Sequence, residues 1–382
     1  MGGHIRRRGK HSWELKFDID RDATGERETR YRSFKGTRRQ AELELARLIS
    51  QHAAGEGVDP SKETIADFAR RWDRDWLSIN LSPKSIERYR ELLRLYVVPR
   101  IGAMPVQKLR AATLAELYAA LLRAGGKGGR PLAPATVSFV HRILHRMIGH
   151  AVTWGIVSTN VTESVEAPPT PDTEIAVLSE DQIRRLMQHL NGRTLRPIVS
   201  FLLGTGCRRG EALALQWKDI DFKKATVRIE RSVEETKGGL RIKSPKTRHG
   251  RRNVSISPWL VAELRAHHLR QQEQRLKLGM GKAPEDSVVF ARWDGGLRSP
   301  HSLTQKFAET MMALGFDATM HVLRHSHVSQ LIAAGLDVLT ISRRIGHASP
   351  SITLDVYGHM FKNTDTKAAE IIEAAFACMR TE

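Results

Sequence analysis

Hydrophobic residues recur along this chain with two different periods. From Ser12 to Asp18 they alternate with polar ones, so that Trp13, Leu15 and Phe17 share one face, as in a half-buried strand. Asp22 to Gly25 carries a turn signal, and a second strand is expected through Tyr31 and Phe34. The period then lengthens. Thr37 is placed to cap a helix in which Ala41, Leu45, Leu48, Ile49 and His52 fall at helical spacing. The opening segment therefore reads as a small sheet carrying one helix, and Gly55 to Ser61 reads as a linker.

Beyond the linker the period is helical. Thr64 opens a helix with Ile65, Phe68, Ala69 and Trp72 on one stripe. Ser82-Pro83 begins another, expected to run to Val98 and stop before Pro99. Thr113 to Leu122 is a third. The Gly125–Gly129 loop lacks the Gly-Lys-Ser/Thr ending of a phosphate-cradling loop. Ala135 to Trp154 is a long amphipathic helix bearing His141, Arg142, His145 and Arg146, either a solvated face or one that meets phosphates. Ala167-Pro168-Pro169-Thr170-Pro171 is the clearest linker. After it, Ser179 and Gln182 form a capping box before Ile183 and Leu186. Ala225 to Val233 alternates, Leu240 to Ile256 reads as a hairpin pair, and from Ser302 onward the pattern is helical. The expected architecture is multidomain and mainly α with small β-sheets. It comprises an α+β domain over 1–57, an all-α domain over 62–167, and a mostly α domain over 175–382. The last should carry a small antiparallel sheet and a tail helix.

Composition adds a partner to this picture. The 382 residues include 61 Lys and Arg against 42 Asp and Glu, a net charge of +19. A chain so basic is expected to meet a polyanion, because each neutralised phosphate releases condensed counterions. Arg6, Arg7 and Arg8 begin a run that is either a solvated tail or a segment that enters a DNA groove. Cys207 and Cys378 have no metal-ligand spacing and make no disulfide framework. The N-terminal charges precede no apolar run of the secretory kind, and no stretch nears the roughly 20 apolar residues of a membrane span. The expectation is a soluble, cytoplasmic protein that uses no membrane.

Four clusters in the last segment share one logic. They are Thr205-Gly206-Cys207-Arg208-Arg209-Gly210-Glu211, then Pro245-Lys246-Thr247, then His321-Val322-Leu323-Arg324-His325, then Gly346-His347 with Tyr357 ten residues on. Cleaving a phosphodiester without a metal or other cofactor requires donors for the non-bridging oxygens, and guanidinium forks match that geometry. It requires an acid for the leaving oxygen, which a lysine on a hairpin can be. It requires a nucleophile whose ester can be reversed, which suits a tyrosine, with a histidine to handle its proton. Arg208, Arg324, Lys246, Tyr357, His321 and His347 meet these requirements. Of five tyrosines, only Tyr357 follows residue 118.

These boxes, in this order, resemble the catalytic motifs of the tyrosine recombinase (phage integrase) family. The likeness covers about residues 175–365. Residues 64–167, ending in Ala151 to Asn160, resemble the family's helical SAM-like core-binding domain, and residues 1–55 more weakly its arm-type DNA-binding domain. The resemblance implies that Arg208 and Arg324 bind the scissile phosphate and that Lys246 protonates the 5′-hydroxyl. His321 and His347 would assist proton transfer and hold the phosphate or the nucleophile. Tyr357 would form a 3′-phosphotyrosyl intermediate that a second strand's 5′-hydroxyl resolves. Glu211 would support the arginine region. The implied function is integration and excision of a mobile element. It would proceed on double-stranded DNA attachment sites by a homotetramer, with a directionality factor and a host DNA-bending protein as further partners. Cys207, Gly250, Ser255 and Ile345 depart from the usual pattern without removing a catalytic group.

Bland readings stand beside these. His325 and His327 read as helix-packing residues, and Arg209 as a surface partner. His321 and His325 lie at i and i+4 like a metal pair, but the Glu of a zinc-protease helix is missing. Lys243 competes with Lys246 as the acid, although the resemblance favours Lys246, whose Lys-Thr and downstream Arg252-Asn253-Val254 fit the family's spacing. Lys243, Arg248, Arg251 and Arg252 are expected to contact the DNA backbone, as are Arg142 and Arg146. The terminal helix from Thr366 places Ile372, Ala375, Phe376 and Met379 near one face, for its own domain or a neighbouring protomer. A type IB topoisomerase and a silent DNA-binding regulator are the rival functions.

Overall fold

The computed structural model describes residues 3–21, 27–53, 60–171, 175–244, 250–361 and 365–377. The chain divides into two compact units, Met1–Asp172 and Thr173–Glu382.

The first unit opens with an antiparallel sheet of β1 (Gly3–Gly9), β2 (Ser12–Arg21) and β3 (Arg27–Lys35), in that order. Register pairs Trp13 with Arg7 on one side and with Phe34 on the other. Leu15 and Phe17 are buried, as alternation requires, against Ala41, Leu45 and Leu48 of α1 (Arg38–Ala53). Thr37 and Gln40 close this helix's start reciprocally, the Gln40 amide donating to the Thr37 hydroxyl and the Thr37 amide to the Gln40 side chain. The arginine run is corrected here: Arg6, Arg7 and Arg8 are neither tail nor loop but an exposed stretch of edge strand β1. A run of charges hides strand character because its alternation is polar on both faces. The turn at Asp22 to Gly25 lies outside the described residues, as does most of the linker at Gly55 to Ser61.

A helical bundle follows, with α2 (Ile65–Trp72), α3 (Pro83–Leu92), α4 (Ala111–Ala124) and α5 (Pro134–Thr153). Ile65, Phe68, Ala69 and Trp72 are all buried, and Thr64 caps α2 by accepting from the Asp67 amide. The helix begun at Pro83 does not stop before Pro99. It passes through a π-helical turn at Leu93–Val97 and ends at Ile101. Proline has no amide to donate, so placing Pro99 in the first turn of the resumed helix leaves no donor unpaired.

The second unit packs α6 (Glu180–His189), α7 (Arg196–Thr205) and the short α8 (Arg209–Leu213) around one core with α9 (Pro258–Lys277) and α10 (Pro300–Ala313). The Ser179–Gln182 capping box is present. Helix α9 gave no clear signal in the sequence, its apolar positions being diluted by arginine and glutamine. The strands are corrected. Strands β4 (Ile220–Asp221), β5 (Thr226–Ile229) and β8 (Arg252–Ser255) make one antiparallel sheet, and β6 (Ser232–Thr236) and β7 (Gly239–Lys243) another. Leu240 to Ile256 is thus no hairpin with itself, and the Ala225–Val233 alternation spans two strands of different sheets. Val227 and Ile229 point into the core from β5 and Val233 from β6, so one alternating pattern serves both. Helices α11 (His321–Ala333), α12 (Val338–Ile345) and α13 (Pro350–Tyr357) complete the unit, followed by α14 (Asp365–Ala377). No described helix is long and apolar enough to cross a membrane.

Candidate active site

Two helix ends build the site. Gly206 closes α7 in the left-handed region at φ 64°, where a side chain would also strike the His327 ring 2.5 Å away. Gly346 closes α12 in the same region at φ 70°. Each glycine offers its carbonyl to an arginine: Arg324 Nη1 donates to Gly206 at 2.7 Å, and Arg208 Nη2 to Gly346 at 3.3 Å. Both guanidiniums are thereby tied to backbone that cannot shift without unwinding a helix end.

A buried carboxylate fixes the rest. Glu211 accepts from the Arg208 amide at 2.9 Å, from Arg208 Nη1 at 3.0 Å and from Arg252 Nη2 at 2.9 Å. Burial alone would raise its pKa, but the charges and hydrogen bonds of Arg252 and Arg208 outweigh that and hold it below the usual range. Arg252 also donates through Nε to the Arg344 carbonyl at 2.7 Å. Arg252 was expected at the DNA backbone. Its side chain is only 6% exposed, and the structure commits it to the protein as a strut behind Arg208.

Arg324 is the most enclosed of these cations. Burial pushes its pKa down to about 10, helped by the Arg208 charge, and its Nη2 is buried with no hydrogen-bond partner among the described residues. A charged nitrogen in that state is costly unless an anion meets it. Arg208, Arg209, His321 and Arg324 line one small cleft. A much larger cavity, about 1030 Å³, lies elsewhere in this unit against Trp259, Glu263 and Arg270, and includes none of the motif residues. The small cleft is where these donors converge.

One histidine, His321, lines this cleft, and His347 lies within the field of the same arginines. His321 opens α11, and partial enclosure and the charges of Arg324, Arg209 and Arg208 lower its pKa. His347 follows Gly346, with Nδ1 2.9 Å from the buried Thr353 hydroxyl. Burial, then Arg324 and Arg208, push its pKa down to about 4. Tyr357 ends α13 with 1% of its surface exposed. Burial raises its pKa and the Arg324 charge opposes that rise. The structure thus brings Arg208, His321, Arg324, His347 and Tyr357 into one neighbourhood. Lys246 and Arg248 lie outside the described residues.

Besides Arg252, two residues are placed otherwise than the sequence had them, His325 and Arg209. His325 is no mere packing residue, for its Nδ1 lies 2.7 Å from the Tyr357 hydroxyl. A signal existed: His325 directly follows Arg324 and sits one turn after His321, on the same side of α11. Arg209 is half-buried and hydrogen-bonded to Thr304 instead of standing at the surface. Lys243 is ion-paired with Glu234, which also takes Arg241 at 2.5 Å. His327 does pack, with Nδ1 at 2.7 Å from the Leu203 carbonyl and Nε2 accepting from Arg344. Elsewhere, Arg251 is exposed, as are Arg142 and Arg146 on α5, the latter donating to the Tyr89 hydroxyl at 3.3 Å.

Comparison with known proteins agrees with this geometry. The phage integrase family model matches residues 176–364, and its N-terminal SAM-like domain matches residues 64–122. The chain belongs to the phage integrase family of tyrosine recombinases. It is a site-specific recombinase of the mobile-element integrase kind, a DNA strand-exchange enzyme. The chain is 26% identical to a XerC-like tyrosine recombinase of Caldanaerobacter subterraneus, over 96% of this chain and 97% of that one. It is 25% identical to the ICEBs1 integrase of Bacillus subtilis, over 96% and 97%. Among solved structures, the Tn1549 transposon integrase bound to circular-intermediate DNA matches with a TM-score of 0.68 at 19% identity, over 82% of this recombinase and 99% of that chain. A lambda integrase dimer on a core site matches with a TM-score of 0.57 at 15% identity, over 92% and 93%. These likenesses establish the fold: mainly helical, with a three-stranded N-terminal sheet and small sheets in the catalytic region.

Proposed function

We propose that this recombinase integrates and excises a mobile element by cleaving each DNA strand through Tyr357. The scissile phosphate binds between Arg208 and Arg324, with His321 and His347 on its other oxygens. The observation that carries this is the buried, unpartnered Nη2 of Arg324 beside a second, anchored guanidinium. Tyr357 Oη attacks phosphorus as its proton passes to the histidines at the site, His321 and His347, the bond to the 5′-oxygen breaks, and Lys246 supplies that oxygen with a proton. The 3′-phosphotyrosyl bond is then attacked by the 5′-hydroxyl of a partner strand, which returns the tyrosine. Bond energy is conserved, so neither ATP nor a cofactor is required.

Residues 62–167 and 175–382 serve as the core-binding and catalytic domains, and residues 1–57 as an arm-type DNA-binding domain. Arg6, Arg7 and Arg8 supply phosphate contacts there, as do Arg142 and Arg146 in the helical domain. Lys243, Arg248 and Arg251 supply them around the catalytic domain. The working form is a cytoplasmic homotetramer on two attachment sites, as a lambda integrase tetramer is found on a Holliday junction. A directionality factor and a host bending protein complete the assembly. Ile372 and Phe376 on α14 are more than half exposed, which suits docking on a neighbouring protomer. Synaptic assembly unchanged after removal of the residues beyond Asn363 would refute that role.

The test of the whole is covalent trapping. A nicked duplex carrying the junction of the circularised element is incubated with wild type and Tyr357→Phe in EDTA and run on a denaturing gel. A covalent band from wild type alone is expected. Tight binding with no band from wild type would leave a DNA-binding regulator instead. Relaxation of supercoiled DNA lacking the site would favour a topoisomerase.

A further inference from the structure

Oη of Tyr357 has one hydrogen-bond partner among the described residues, Nδ1 of His325 at 2.7 Å. The two rings are 5.6 Å apart at their centroids and inclined by 56°, so the contact is edge-on through the polar atoms rather than stacked. His325 also faces His321, at 5.7 Å between ring centroids, and Arg324, its neighbour on α11. His347 completes the set of titratable groups around it. Buried packing fixes the plane of a tyrosine ring but does not by itself hold its hydroxyl proton in one direction. A neutral imidazole nitrogen at hydrogen-bond distance does.

We infer that His325 is a positioning residue of the cleavage site: its Nδ1 holds the Tyr357 hydroxyl oriented within the arginine cluster. This rests on the reading of Tyr357 as nucleophile. Holding the nucleophile thereby falls to His325, whose Nδ1 meets Oη, rather than to His321 or His347. Burial and the positive field of the neighbouring His321 and Arg324 keep His325 neutral down to about pH 4, so Nδ1 is free to accept from the phenol throughout the physiological range. A reacting atom misplaced by about 1 Å costs on the order of 100-fold in rate. Loss of the one group that orients Oη is therefore visible in cleavage and not in DNA affinity.

The experiment measures single-turnover covalent trapping on the nicked junction duplex with full-length wild type, His325→Leu, His325→Asn and His325→Gln. Asparagine places its amide where Nδ1 stands, whereas glutamine reaches the position of Nε2. The expected result is about a 30- to 100-fold fall in trapping rate for Leu and Gln. Asn should restore the rate to within a few-fold of wild type, with melting temperature and duplex affinity unchanged in all. Wild-type rates from His325→Leu, or equal defects in Asn and Gln, would overturn the inference while leaving Tyr357 as nucleophile. Should the Leu variant fail to fold, the Asn–Gln difference still decides. Absence of trapping by wild type itself would instead remove the nucleophile reading, and this inference with it.

Discussion

The arginines of the two units contrast sharply. Arg6, Arg7 and Arg8 lie exposed on an edge strand, and Arg8 is held by Glu14 at 2.8 Å. Arg324 is 5% exposed, with one nitrogen on a glycine carbonyl and another on nothing. Both groups carry the same charge and both suit phosphate. The exposed run offers a diffuse field that any stretch of backbone can satisfy, and salt screens it. The buried guanidinium points unsatisfied donors at one place, where water cannot stand in cheaply for an anion. An exposed run suits affinity, whereas an enclosed guanidinium with a free donor suits a single, fixed anion.

The contrast breaks most visibly at Arg324. Arg324→Ala should lower the covalent trapping rate by about 100- to 1,000-fold, the usual cost of removing one transition-state donor. Affinity for the intact duplex should change little. A variant that lost affinity in proportion to rate would show that Arg324 is an ordinary backbone contact, like those on β1. Arg324→Lys should recover only a small part of the loss, because an ammonium keeps the charge but not the fork.

Glu211 tests how far the second arginine depends on its brace. The carboxylate is 5% exposed and holds Arg252, whose side chain is 6% exposed. Glu211→Ala would leave a buried guanidinium uncompensated, a loss of about 3–5 kcal/mol of folding stability. Trapping should also slow, by less than in Arg324→Ala, since Arg208 would keep its bond to the Gly346 carbonyl. Thermal melting and trapping measured on the same preparation separate the two effects. Stability unchanged by this substitution would argue that the Arg252 strut is dispensable.

On the basic strand the expected effect is small and of a different kind. Replacing Arg6, Arg7 and Arg8 by alanine should leave trapping on a core-only duplex within about twofold of wild type. Binding to longer attachment-site DNA should lose about 2 units of salt dependence on a double-logarithmic plot, roughly one for each phosphate contact removed. The figure is nearer two than three because Arg8 is already engaged by Glu14. A large trapping defect on core DNA would mean that the strand acts on catalysis.

Much of this was legible before any coordinates. The motifs pointed to side chains that the fold does bring near one another, because His321 and Arg324, three apart, share a helix face. Buried stripes such as Ile65-Phe68-Ala69-Trp72 were plain for the same reason. What could not be read were partnerships made across the fold. Arg252 and Arg251 are neighbours of identical chemistry, yet one is a strut and the other exposed. The difference lies in Glu211, which is 41 positions from Arg252 in sequence. The His325–Tyr357 bond spans 32 positions. Edge strand β1 was invisible because its charges disguise alternation, and the two small sheets because strand partners are chosen by topology and not by adjacency.

Histidines supply the smallest and most general prediction, and they extend the same contrast between enclosed and exposed cations to pH. His327 is buried and His267 half-buried, and both are neutral, with desolvation the main reason that each pKa falls to about 4 from 6.5. A histidine depressed in the folded state binds its proton more readily when unfolded. Protonation therefore favours the unfolded chain, and stability that is fully present above about pH 6.5 declines as pH falls toward 4. His327 makes this sharper, since both ring nitrogens are occupied, by the Leu203 carbonyl and by Arg344. Protonating Nε2 would remove the acceptor that Arg344 uses and set two cations against each other. Melting curves at intervals between pH 7.5 and 4.5 should show a falling midpoint whose slope lessens in His327→Gln, which cannot titrate. An identical slope in wild type and that variant would place the acid sensitivity at other groups and leave His327 a packing residue alone.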